Sequence, residues 1–303
     1  MKCLRNNIWR VVVFLLVTFS SIVYSDSDSW KFTENNNNVI RMQTQGGDPE
    51  KSGDVKIEFY GHMAFKITSP EGLSILIDPW RNDPSGAWGR WFPNEFPETA
   101  VDIVISTHAH FDHDAVYRPH AIMVLERMAG EFKLGDVKIT GIAEKHMCKS
   151  KGWYKWTDVA KEFSQEFCPP NNYLHMDNFI QIIETGGLRI AHWGDNRPDP
   201  SRFANELLKN IDILIMNIDG SSHILSYQDI DDALKRYQPR VVIPGHYYTK
   251  GASSVLTTLD TADEWVDRQD DVVRLKKSEL ILNPGKVNSF KQRIYYFGMN
   301  HSK

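Results

Sequence analysis

The chain carries no block of lysine and arginine, so it lacks the electrostatic footprint of a nucleic-acid-binding protein. Its 35 basic and 39 acidic residues leave it slightly acidic, at net −4. Cysteine is nearly absent, with 3 among 303 residues. Cys3 precedes the first apolar run and is not placed as a lipid-attachment cysteine. Cys148 and Cys168 could pair in an oxidising compartment or stay as free thiols. No internal repeat is visible. What remains is a soluble globular composition, long enough to bury a sizeable core in one or two domains.

One apolar run stands apart. Met1–Arg10 holds three cations and no acid, Val11–Val17 is wholly apolar, and a polar stretch begins at Ser25. This is the layout of a secretory signal peptide over residues 1–25, which predicts an exported protein, periplasmic or secreted. The alternative is an uncleaved anchor through residues 8–24, the one case in which this chain would contact a membrane. Without residues 1–25 the chain keeps 32 basic against 39 acidic residues. Residues 26–53, with the run Asn35–Asn38 and the turn Gly46-Gly47-Asp48-Pro49, read as a polar linker or loosely packed arm.

From Val55 onward the pattern is one of short strands. Val55–Tyr60, Ala64–Thr68, Leu73–Ile77, Val101–Ser106, Val137–Ala143, Phe179–Glu184 and Leu188–Ala191 alternate or run apolar between turn residues. Helix and strand then alternate: helices over Arg202–Lys209, Tyr227–Tyr237 and Thr261–Arg274, strands over Ile211–Ile218, Arg240–Ile243, Glu279–Leu282 and Arg293–Phe297. Strands first and βα units later predict a layered α/β fold in one domain.

The chemistry concentrates in Thr107-His108-Ala109-His110-Phe111-Asp112-His113. His108 and His110 are two apart, so on extended backbone they project from the same side. Asp112 and His113 follow where a turn can bring them back to that point. Neutral imidazoles and a carboxylate suit Zn(II), Mn(II) or Fe(II). Three of the chain's 11 histidines with an aspartate in six residues make a metal site. His146, Asp195 and His246 each follow an apolar strand and supply what that cluster lacks for a second ion.

The order His-x-His-x-Asp-His, then a lone His, then Gly-Asp, then a lone His after a strand resembles the metallo-β-lactamase superfamily over residues 54–298. Phe59-Tyr60-Gly61-His62, Ile75–Pro79, His192-Trp193-Gly194-Asp195 and Pro239–Tyr247 look like the ascorbate-6-phosphate-lactonase-like branch, whose layout N-acyl-phosphatidylethanolamine phospholipase D shares. The resemblance implies an αββα sandwich, here a single hydrolase domain over residues 54–303, with two divalent metals, zinc first and manganese or iron as alternatives. Carried over, His108, His110 and His146 would hold one ion, Asp112, His113 and His246 the other, and Asp195 would bridge them. Two such cations acidify a shared water, and the resulting hydroxide attacks an ester, lactone or phosphodiester. Asp112, Asp195 and His223 are the catalytic candidates, His62 and Tyr247 the substrate-binding ones. Asp78 is either a partner orienting a ligand imidazole or a turn residue.

Two aromatic stretches, Trp80–Pro93 and Trp153–Trp156, either wall a small-molecule or lipid-like substrate or pin loops to the core. The rival functions are a metal-centred oxidoreductase and a non-enzymatic binding protein. Di-iron reductases of this superfamily carry Glu where this chain has His110, and a flavin domain it lacks. A structural zinc site is closed and four-coordinate, whereas seven candidate ligands shared by two ions leave positions open.

Overall fold

The structure, a computed structural model, describes residues 37–86, 89–147, 176–249 and 259–302. The proposed signal segment, all three cysteines, Trp88 and the Trp153–Trp156 cluster fall outside those residues.

Fourteen strands form two sheets among the described residues. The first half of the chain supplies β1 (Val55–Phe59), β2 (Phe65–Thr68), β3 (Ser74–Ile77), β4 (Ala100–Ser106) and β5 (His120–Glu126). Next come β6 (Gly130–Leu134), β7 (Val137–Glu144), β8 (Asn178–Thr185) and β9 (Leu188–His192). The remainder are β10 (Ile213–Asn217), β11 (Val241–Gly245), β12 (Val272–Arg274), β13 (Glu279–Leu282) and β14 (Arg293–Tyr296). One sheet has the order β13-β1-β2-β3-β4-β5, the other β12-β14-β11-β10-β9-β8-β7-β6. Both are mixed. The first passes from antiparallel pairing at β1–β2–β3 to parallel at β3–β4–β5, the second from antiparallel at β7–β8–β9 to parallel at β9–β10–β11.

Alternation on β1 and β2 turns Ile57, Phe59, Phe65 and Ile67 inward, where they join Ile139, Ile180, Ile182 and Ile190 of the other sheet in one core. Strands β10 and β11 are buried along their whole length, as strands covered on both faces must be. The helices are few and short. Ser201 caps α2 (Arg202–Leu207), after α1 (Asn37–Gln45). In α3 (Tyr227–Tyr237) the stripe Ile230, Ala233, Leu234 and Tyr237 is buried, and Ser226 with Asp229 closes a capping box at its start.

Two expectations need correction, and three elements were not anticipated. Residues 26–53 are not all loose arm: α1 buries Val39 and Met42 in the main core, and its Asn38 and Arg41 side chains donate to the carbonyls of Gly72 and Glu71. The helix expected over Thr261–Arg274 is confined to α4 (Asp263–Val266). Val272–Arg274 is strand β12, where β-branched valines pair with β14 and Arg274 reaches back to Asp263 and Asp267. Strands β5 and β6 escape a sequence reading because they lie at sheet edges with half their residues exposed. A one-turn helix, α5 (Pro284–Val287), is capped by Asn283.

Candidate metal centre

The residues singled out in the sequence converge at one rim of the two sheets. His108, His110, Asp112 and His113 follow β4, His146 follows β7, Asp195 follows β9 and His246 follows β11. Four carboxyl-terminal strand ends deliver these groups: β4 of the first sheet contributes four ligand candidates, and β7, β9 and β11 of the second contribute one each. The backbone is strained here: of seven described non-glycine residues with positive φ, His62, Asp78, Ser222 and His246 lie at or beside this rim.

At the centre stands Asp195, 2 % exposed. Its Oδ2 lies 3.2 Å from His246 Nε2, 3.4 Å from His113 Nε2, 3.5 Å from His146 Nε2 and 3.9 Å from His108 Nε2. Asn217 Nδ2 donates to the other oxygen, Oδ1, at 2.8 Å. Asn178 Oδ1 accepts the Asp195 N–H, and Gly194 must be glycine, since a Cβ there would sit 2.5 Å from that same oxygen. His108, His110 and His146 form one close set, with rings 4.6 to 4.8 Å apart, and His110 sits exposed at the mouth. Asp112, His113 and His246 form a second set together with His62.

The far sides of the rings decide which nitrogen faces the centre. His113 Nδ1 donates to Asp78 Oδ2 at 2.8 Å, and His146 Nδ1 to the Met147 carbonyl at 2.8 Å. Thr107 Oγ1 gives its proton to Asp78, so it accepts from His108 Nδ1 at 3.0 Å. Each ring therefore turns Nε2 inward, the arrangement seen where imidazole binds a metal. The Nε2 atoms of His108, His113, His146 and His246 are buried and have no hydrogen-bond partner. Buried polar atoms are almost always satisfied, so four orphans aimed at one carboxylate oxygen call for a cation. Donors sharing a tetrahedral ion at 2.0–2.1 Å stand roughly 3.3 Å apart, which matches three of the four separations to Asp195. The residues present fit divalent metal.

Charge tells the same story. Burial opposes ionisation of Asp195, yet His113 and His246 overcome it and hold the carboxyl well below the usual range. Asp112 behaves likewise, with His113 and His62 as the counterweights. Burial disfavours a charged His113, but Asp195, Asp112 and Asp78 outweigh it and raise its pKa well above the usual imidazole value. In His108 burial, aided by His113 and His110, pushes the pKa well down. Protons thus stand in on His113 for positive charge that the carboxylates demand.

Other expected residues fall in different places. Asp78, wholly buried at φ +53°, does orient a ligand candidate: its Oδ1 accepts from Thr107 N at 2.7 Å and its Oδ2 from Thr107 Oγ1 and His113. The ring of His223 stacks on His246 at 5.7 Å, and burial beside His246 lowers its pKa to about 4. Tyr247, expected to touch substrate, points into the core. It is fully buried between Phe59 and Tyr296, and its hydroxyl donates to the Gly298 carbonyl at 3.0 Å. Tyr247→Phe should therefore cost about 1 kcal/mol in thermal unfolding and leave kcat unchanged, whereas a tenfold fall in kcat would return this residue to the substrate pocket. His62 is also buried, at 2 %, and faces Asp112. Trp80, Trp91, Phe92 and Phe96 pack into a second apolar cluster with Tyr60 and Leu76, so in that stretch the aromatics pin the loop. His192 is core, donating to the Met63 carbonyl.

Asn217, Asn178, Thr107 and Asp219 were missed. Asp219 accepts from the backbone of Ser221, His223 and Ile224 and so shapes the loop carrying His223. A polar residue ending the apolar run Ile213–Met216 was the available signal for Asn217.

A family profile described as a beta-lactamase superfamily domain matches residues 56–246. The chain belongs to the metallo-β-lactamase superfamily. It is 28 % identical over 217 residues to a UPF0173 metal-dependent hydrolase of Thermodesulfovibrio yellowstonii, covering 65 % of this chain and 80 % of that one. A UPF0173 metal-dependent hydrolase of Thermus thermophilus is 30 % identical over 211 residues, covering 64 % and 84 %. The crystal structure of a Thermotoga maritima protein of the superfamily superposes with a TM-score of 0.55 at 20 % identity, over 80 % of this chain and 98 % of that one. That likeness is one of fold: two mixed sheets in an αββα sandwich.

Proposed function

We propose that this superfamily member is a two-metal hydrolase, cleaving an ester, lactone or phosphodiester bond in a small-molecule or lipid-like substrate. The observation that carries the reading is the convergence of four unpartnered imidazole nitrogens on Asp195 Oδ2. His108, His110 and His146 would hold one ion, Asp112, His113 and His246 the other, with Asp195 between them. Zinc suits this histidine-rich set best, with Mn(II) and Fe(II) as alternatives. Such ions acidify water and polarise the oxygen of the bond under attack.

The protein's own groups do the rest. Asn217 pins Asp195 Oδ1 and so leaves Oδ2 alone to be shared. Asp112, ionised and 7 % exposed, is the carboxylate able to take a proton from the attacking water. His223, neutral at pH 7, can donate a hydrogen bond to an oxygen gaining negative charge. The relatives' description as metal-dependent hydrolases supports the reaction class. Export is part of the proposal and rests on residues 1–25 alone; no described helix is long and apolar enough to cross a membrane.

The test is a metal count on the purified protein, followed by chromogenic phosphodiester, lactone and carboxyl-ester substrates. Two exchangeable ions per chain with turnover of one class is the expected result. A single ion that cannot be exchanged, with no turnover in any class, would overturn the reading.

A further inference from the structure

His62 stands apart from the other histidines of the centre. The Nε2 atoms of His108, His113, His146 and His246 lack hydrogen-bond partners, whereas His62 Nε2 donates to Asp112 Oδ2 at 3.0 Å. Its ring packs 4.2 Å from that of His246 and 5.1 Å from that of His113, with Phe92 set edge-on at 5.9 Å. Its backbone works as well: the His62 carbonyl accepts the His246 N–H at 2.8 Å, and residues 62 and 247 make an isolated antiparallel bridge. Asp112 follows β4 of the first sheet and His246 follows β11 of the second. One residue thus grips a ligand candidate from each sheet, one with its side chain and one with its main chain. It does so at φ +56°, a conformation costly for any residue with a Cβ.

We infer that His62 is a positioning residue for the second metal ion, cross-bracing Asp112 and His246 between the sheets, and neither a metal ligand nor a substrate contact. The inference rests on the two-metal reading above. By holding Asp112 Oδ2, which also lies 3.7 Å from His113 Nε2, it fixes the plane of that carboxylate beside the second set. The groups that orient metal ligands in this way typically affect metal affinity by 10–100-fold.

Two measurements test it on the full chain. In the zinc-loaded protein, nitrogen-15 correlation spectra of the histidine rings should show His62 protonated at Nε2, while His108, His113 and His146 are protonated at Nδ1. A His62 protonated at Nδ1 would make it a ligand and overturn the inference. In cobalt titrations followed by absorbance, His62→Phe should bind the second equivalent about 10–100-fold more weakly than wild type, with the first equivalent unchanged. His62→Gln, which keeps an N–H in reach of Asp112, should recover most of that affinity. Equal losses in Phe and Gln variants, or none in either, would refute the hydrogen-bonding role. Wild type taking up only one cobalt would instead overturn the two-metal reading, so the two failures are distinguishable.

Discussion

Asp195→Ala should reduce hydrolysis by at least ~10³-fold and lower the metal content from two ions per chain to one or none. Among the described residues, Asp195 Oδ2 is the one carboxylate oxygen within 4 Å of four candidate ligand nitrogens, so no described neighbour can replace it. Without it two cations would face each other with no shared anion. The loss is electrostatic before it is steric: the change removes the largest of the three carboxylate influences that raise the His113 pKa, and Asn217 loses its acceptor. Mass spectrometry of bound metal and turnover on the substrate class found for wild type check the expectation. A variant that keeps two ions and near-normal turnover would show that Asp195 does not bridge.

The second large effect is expected at a residue that touches no substrate. Asp78→Ala should destabilise the metal-free protein by about 3–5 kcal/mol, the range for breaking a buried charged network. Three donors lose their acceptor at once: Thr107 N, Thr107 Oγ1 and His113 Nδ1. Alanine would also have to adopt φ +53°. Metal affinity should fall in addition by about 10–100-fold, because His113 is then free to rotate its Nε2 away. Thermal unfolding with and without metal separates the two parts: the first appears in the apo protein, the second only as a smaller metal-induced shift. An apo protein as stable as wild type would mean that the network carries no folding energy.

How much of this was legible follows from where each residue stands. The cluster His108–His113 is local, so spacing alone disclosed it. His146, Asp195 and His246 were legible because each ends an apolar strand, and in a layered sheet such ends gather at one rim. Tyr247 misled because closeness in sequence to His246 does not bring it to the site: the chain turns at His246, φ +60°, and the tyrosine ring packs between Phe59 and Tyr296. Asn217 and Asn178 were hidden because a polar residue at a strand end is usually a cap, and their partnership with residues 22 and 17 positions away exists only in the fold. Helix α1 was hidden because two buried residues, Val39 and Met42, are too few to show a period. Edge strands β5 and β6 lack the burial that produces a pattern.

Every ligand candidate occupies one rim of the sandwich, and the opposite rim is built of turns. There the turns at residues 47–53, 69–72, 135–136 and 186–187 meet one another: Gly53 N donates to the Gly186 carbonyl and Glu71 N to Asp136. Asp48, Glu50, Lys51 and Gly187 are exposed on that side. The molecule is therefore polarised like an electrode, with one working end and one mounting end. An affinity handle, dye or surface tether joined at Lys51 would hold the protein with its reactive rim facing solution.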